Sequence, residues 1–276
     1  MMENKKALKI TKCDMFVDMS HCRRSQKAML LVAMLCVLSV SSLQSVAADN
    51  KIEQHTQAFS IKLGATRVIY APESMGQTLS VSNPQDYPVL IQSRVYAEDM
   101  KSKAPFVVMP PLFRLDGQQE SNLRIVRTSG DFAKDRESLQ WLCVKGLPPK
   151  EDDLWAKDND GKSALKKTVS LNLQLSIDSC IKFLVRPESI KGHPDDVASS
   201  LSWSRQGTSL KAVNDTPFYM NLSSLKVGDV NVQDVHYVPP FSTFSFPLPK
   251  HSSGKVSWTI VTDYGGVSNV YQADIK

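Results

Sequence analysis

Residues 168–187 read TVSLNLQLSIDSCIKFLVRP. Val169, Leu171, Leu173, Leu175 and Ile177 alternate without a break with Thr168, Ser170, Asn172, Gln174 and Ser176. A strand sends successive side chains to opposite faces, so this pattern predicts a strand with one face of bulky aliphatics. Alternation alone suits an ordinary half-buried strand of a β-sandwich. The flanks point further. A charged segment precedes the row, and Cys180 and then the isolated Lys182 follow it. Together they predict an edge that binds something.

The rest of the chain alternates in shorter pieces. Phe59, Ile61 and Leu63, Leu79 and Val81, residues 89–96 and residues 122–127 read as strands. Asn83-Pro84-Gln85-Asp86, Pro105, Pro110, Pro111 and Asp116-Gly117 punctuate them. A second set follows at 201–203, 210–213, 218–222, 225–227, 241–246, 256–261 and 270–275. No segment holds a helical period, and no internal repeat stands out. The fold class is therefore all-β, with two β-sandwich domains at 49–188 and 195–276 joined by a linker at 189–194. Residues 150–167, KEDDLWAKDNDGKSALKK, carry five acids and five lysines. They are too polar to pack and too long for a hairpin turn, and so predict a mobile loop leading into the aliphatic row. A surface insertion is the alternative. Leu154 and Trp155 are apolar hooks within it.

The first 48 residues look like an export signal. Seven Lys or Arg precede or flank a short apolar run at 28–40, and Val46-Ala47-Ala48 offers small residues for cleavage. The apolar run is short for a bilayer span. The leader also holds three Asp or Glu, so its removal lowers the formal charge from +5 to +1. The basic balance belongs to the leader and makes no case for nucleic acid. Cys13, Cys22 and Cys36 leave with it. Cys143 and Cys180 remain, an even pair in an exported chain, and predict a disulfide. Chain entropy values such a loop of roughly 35 residues at about 4 kcal/mol.

Catalytic signatures are not evident. His55, His193, His236 and His251 lack metal-ligand spacing and read as surface or loop histidines; no metal or cofactor is expected. There is no nucleophile elbow, phosphate loop or zinc-protease motif. The chain reads as a non-enzyme. A secreted two-domain adhesin or carbohydrate-binding module remains an alternative, and a hydrolase would need a triad that nothing marks.

Residues 132–149, FAKDRESLQWLCVKGLPP, resemble the signature of the PapD-like periplasmic chaperones for surface fimbriae. Asp135, Arg136, Glu137, Ser138, Trp141, Pro148 and Pro149 carry the match. The cysteine pair, the long loop and the aliphatic row resemble the long-loop subfamily that serves afimbrial or capsule-like polyadhesins. The resemblance implies two immunoglobulin-like sandwiches at an angle with a cleft between them. It implies a periplasmic chaperone that lends the row Val169, Leu171, Leu173, Leu175 and Ile177 to a fimbrial subunit and delivers that subunit to an outer-membrane usher. It makes Arg67 and Lys182 the anchor for the client's C-terminal carboxylate, and Glu137, Arg186 and Asp263 an ionic cluster between domains. Ile177 and Lys182 differ in parity, so a regular strand puts them on opposite faces; a bulge near Asp178-Ser179 is one way to reconcile them. Without a client, the exposed row predicts self-association or loop collapse.

Overall fold

The computed structural model describes residues 58–150, 153–156 and 175–276. All of these lie within the compact unit Glu53–Lys276. Two sets of strands fold around two separate apolar cores.

The first set comprises β1 (Ala58–Phe59), β2 (Lys62–Leu63), β3 (Arg67–Tyr70), β4 (Gln77–Ser82), β5 (Val89–Ala97), β6 (Phe106–Met109), β7 (Leu112–Leu115), β8 (Glu120–Arg127), β9 (Ser138–Leu147), β10 (Leu175–Ser176) and β11 (Asp178–Val185). One sheet runs β3-β11-β9-β5-β7 and the other β2-β4-β8-β6. Period-two alternation explains the packing. Val89, Ile91 and Val95 from β5 and Leu142 and Val144 from β9 meet Leu79 and Val81 from β4 and Leu123 and Ile125 from β8. The stretch 58–70 changes partners as it goes. β1 pairs in parallel with β10, β2 pairs with β4 in the opposite sheet, and β3 returns to pair in parallel with β11.

The second set comprises β12 (Ser202–Gln206), β13 (Ser209–Asn214), β14 (Met220–Val227), β15 (Val230–Asn231), β16 (Tyr237–Val238), β17 (Ser242–Pro247), β18 (Val256–Ile260) and β19 (Tyr271–Ala273). Trp203, Phe246 and Trp258 centre its core. A single α-helical turn, Pro194–Val197, starts at the last residue of the linker, and the sequence pattern had not suggested it. Four residues are too few to show a 3.6-residue period.

The two sandwiches share one device that alternation could not reveal. Asn83 is buried and donates Nδ2 to the carbonyls of Tyr87 (2.8 Å), Leu115 and Asp116. Asn214 does the same to Phe218 (2.8 Å), Val238 and Pro239. Each asparagine closes a turn to an aromatic residue four positions on and satisfies carbonyls from a second turn. Repetition of Asn-x-x-x-aromatic is the internal echo that the sequence reading passed over.

Candidate functional site: the junction beside β11

β11 decides the geometry. Phe183 and Val185 enter the first core and Ile181 packs on it, while Leu184 faces Tyr219 of the second sandwich. Lys182 lies on the face of Leu184 and hydrogen-bonds to the second sandwich. Within β11 the odd-numbered Ile181, Phe183 and Val185 take the core-facing side, and Lys182 belongs to the side facing the other sandwich. Pairing does break at Ile177, which lies between β10 and β11 and is 43% exposed. Val169, Leu171 and Leu173 lie outside the described residues, and Leu175 sits in β10 against Ala58.

β11 is also partly an edge. β9 pairs along its whole length on one side, and β3 covers only Lys182–Val185 on the other. Among the described residues no strand pairs with Asp178, Ser179, Cys180 or Ile181 on that second side. Their main-chain groups are a template for strand addition. The disulfide Cys143–Cys180 joins directly opposed residues of β9 and β11, with Cα atoms 4.0 Å apart. It staples the edge strand two residues before the lysine.

Lys182 and Arg67 are register partners in the parallel β11–β3 pair, so adjacent strands bring two cations side by side. Lys182 Nζ donates to Asn221 Oδ1 at 2.6 Å and stands 5.0 Å from the centre of the Tyr237 ring. Burial, and then the charge of Arg67, pull the ammonium down to about 8. Arg67 Nη1 donates to Val261 O at 3.1 Å, while its buried Nε has no hydrogen-bond partner. Burial lowers Arg67 as well, against the pull of Asp263 and Glu137.

A second cluster lies close by. Arg186 donates Nε to Glu137 Oε1 at 2.7 Å and both Nη groups to Asp263, each at 2.7 Å. Glu137 is 2% exposed, and its Oε2 accepts from the Tyr219 N–H at 2.7 Å. Burial pushes Glu137 up despite Arg186. Burial also works to raise Asp263, but hydrogen bonds from Arg186 and His193 outweigh it and hold the carboxyl low. His193 Nδ1 lies 2.8 Å from Asp263 Oδ2, and that bond raises its pKa. Nearby, Gly265 adopts φ +84, and a Cβ there would meet Thr66 Oγ1 at 2.3 Å. The loop can sit this close to the first sandwich only as glycine.

The structure thus brings Arg67 and Lys182 together, and separately gathers Glu137, Arg186 and Asp263. Sequence reasoning missed His193, Asn221 and Tyr237. Asn221 had left a trace, a polar residue inside the apolar run FYMNL. His193, set aside as a loop histidine, carried none. Leu154 is 80% exposed, and Arg114 Nη1 donates to the Trp155 carbonyl at 2.7 Å and pins the start of the loop to β7.

Residues 60–191 match the family model for the N-terminal domain of PapD, the pili and flagellar-assembly chaperone, and residues 196–272 match that for the PapD C-terminal domain. The chain belongs to the PapD family of pilus-assembly chaperones. Chaperone protein AfaB of Escherichia coli is 57% identical to this PapD-family chain over 223 residues, covering 77% of the chain and 90% of AfaB. Among solved structures, the E. coli chaperone DraB is 55% identical and superposes with a TM-score of 0.70, covering 81% of this chain and 100% of DraB. A chain from the Salmonella enterica complex of SafA pilin with the SafB chaperone is 48% identical with a TM-score of 0.72, covering 80% of this chain and 99% of its own.

Proposed function

We propose that this PapD-family chaperone works in the periplasm, captures a fimbrial or adhesin subunit by strand addition along β10 and β11, and passes it to an outer-membrane usher. The observation that carries the reading is the pair Arg67 and Lys182. Two partly buried cations stand together, and among the described residues their hydrogen-bond partners are neutral acceptors, an arrangement that suits an incoming carboxylate. The open side of β11 at Asp178–Ile181 supplies main-chain hydrogen bonds beside it. The row Val169, Leu171, Leu173, Leu175 and Ile177 shares the odd numbering of the core-facing residues of β11 and fills the client's groove. Five buried aliphatics give on the order of 10 kcal/mol. Association and ordering take back roughly 4–15 kcal/mol. The anchor and the strand hydrogen bonds therefore matter for affinity, and the anchor sets which aliphatic meets which pocket. Glu137, Arg186 and Asp263 fix the angle between the sandwiches. The length of the sequence between Pro149 and Val169 and the Cys143–Cys180 disulfide support the long-loop reading.

The test is a tagged pull-down from the periplasm of the native host with the fimbrial genes expressed. A small β-rich secreted protein held by the wild type and lost from Lys182→Ala supports the reading. An empty wild-type pull-down, or a partner retained by Lys182→Ala, overturns it. The same row implies self-association of the client-free protein; a clean monomer by sedimentation at tens of micromolar removes that part of the proposal.

A further inference from the structure

The two cations of the anchor come from the first sandwich, but the groups that hold them come from the second. Lys182 Nζ is met by Asn221 Oδ1 at 2.6 Å and by the Tyr237 ring at 5.0 Å, and Asn221 and Tyr237 are directly opposed residues of the β14–β16 pair. Arg67 Nη1 is met by Val261 O. Asn221 and Val261 are themselves joined, since Val261 N donates to Asn221 O at 2.7 Å. Adjoining positions of β14, β16 and the end of β18 in the second sandwich therefore hold both cations.

Asn221 is built to be an acceptor. It is 3% exposed, and its Nδ2 donates to Tyr219 O at 3.1 Å. That bond fixes the amide with its NH2 group toward Tyr219 O and leaves Oδ1 turned toward the lysine. A neutral oxygen orients the ammonium without cancelling its charge. An ammonium has three N–H donors, so the bond to Asn221 leaves two for a ligand.

We infer that Asn221 is a positioning residue for the carboxylate anchor: it holds the Lys182 ammonium at the junction by a neutral hydrogen bond, so that the second sandwich sets where the client's terminus binds. This inference rests on the anchor reading of Arg67 and Lys182. A carboxylate at position 221 would be nearly the same size and would neutralise the lysine from inside the protein. The other titratable or charged groups around the ammonium are Arg67 beside it and Tyr237 beneath it. Tyr237 in turn donates to Glu98 (3.2 Å) and packs on Tyr219.

The test uses the full mature chain, Asn221→Asp and Asn221→Leu variants, and two readouts. The first is the titration of Lys182 followed by 13Cε NMR, with its signal assigned by absence from Lys182→Ala. The second is capture of the subunit that co-purifies with the wild type. Asn221→Asp is expected to raise the Lys182 midpoint by one pH unit or more and to weaken capture at least tenfold. Asn221→Leu removes the acceptor and adds no charge, so capture falls several-fold with no rise in the midpoint; it also serves if the aspartate variant does not fold. An unmoved midpoint in Asn221→Asp overturns the inference whatever the function. A moved midpoint with undiminished capture overturns the role assigned to Asn221 alone. Capture that survives Lys182→Ala overturns the anchor reading beneath it.

Discussion

Two charged clusters join the same pair of sandwiches, and they are finished differently. Around Arg186 each charge is hydrogen-bonded to an opposite one. Its donors meet Glu137 and Asp263, and the remaining Glu137 oxygen takes the Tyr219 N–H. Around Lys182 and Arg67 none is, and Asp263 and Glu137 reach Arg67 only through their field. The hydrogen-bond acceptors are an amide oxygen and a main-chain carbonyl, and one buried guanidinium nitrogen has none. A matched cluster is complete without a ligand and suits fixing an orientation, since buried ion pairs serve specificity better than stability. Burial of charge without a hydrogen-bonded counter-charge is unfavourable, and on the proposed reading the client's carboxylate supplies what the second cluster lacks.

The comparison breaks hardest at Arg186. Arg186→Ala strands two buried carboxylates, and urea unfolding should lose about 3–5 kcal/mol. A loss below 1 kcal/mol would mean that the matched cluster is not holding the junction. The opposite sign is expected at the other cluster. Lys182→Met removes an ammonium whose pKa is pulled down to about 8. At pH 7 it should raise stability by about 1–3 kcal/mol while abolishing capture. In the wild type this penalty is present below about pH 8 and fades as pH rises toward the ordinary lysine value of about 10.4, where the unfolded chain also loses its proton. Wild-type stability that fell across that window for reasons traced to Lys182 would contradict the assignment.

Capture should run against stability. The ammonium loses its charge as pH rises through about 8, so client affinity should weaken above that point by up to roughly tenfold per pH unit. Titration calorimetry with the purified subunit at pH 7 and 9 checks this, and a flat profile would mean that Lys182 does not bind the carboxylate as a cation. The smallest effect is at His193. Its pKa is raised by Asp263, so its contribution is full below the ordinary histidine range and is lost as pH rises through the elevated value. His193→Gln should flatten that shallow dependence in thermal melts between pH 5 and 8 and leave capture untouched.

Much of this was legible in the chain. Period-two alternation marked the strands because a half-buried strand has no other way to divide its side chains. The even cysteine pair gave the disulfide, and the sequence from Asp135 to Pro149 gave the family. The parity of Ile177 and Lys182 was visible too, but its meaning was not. Only a second sandwich, packed against the even-numbered face of β11, explains why Lys182 and Ile181 belong on opposite sides. The same holds for Asn221, Tyr237, Val261 and His193. Each acts across a separation of tens of residues or more along the chain, and local patterning carries no information about such contacts.

What the sequence determined by itself was the local division of apolar from polar, which fixes strands, cores and the identity of the charged residues. What the tertiary structure decided was which charges face which partners. Arg67 opens β3, Lys182 lies within β11, and Arg186 follows the end of β11. One ends among carboxylates and two among neutral oxygens, because the cost of a buried charge depends on the groups that the fold places within a few ångströms of it.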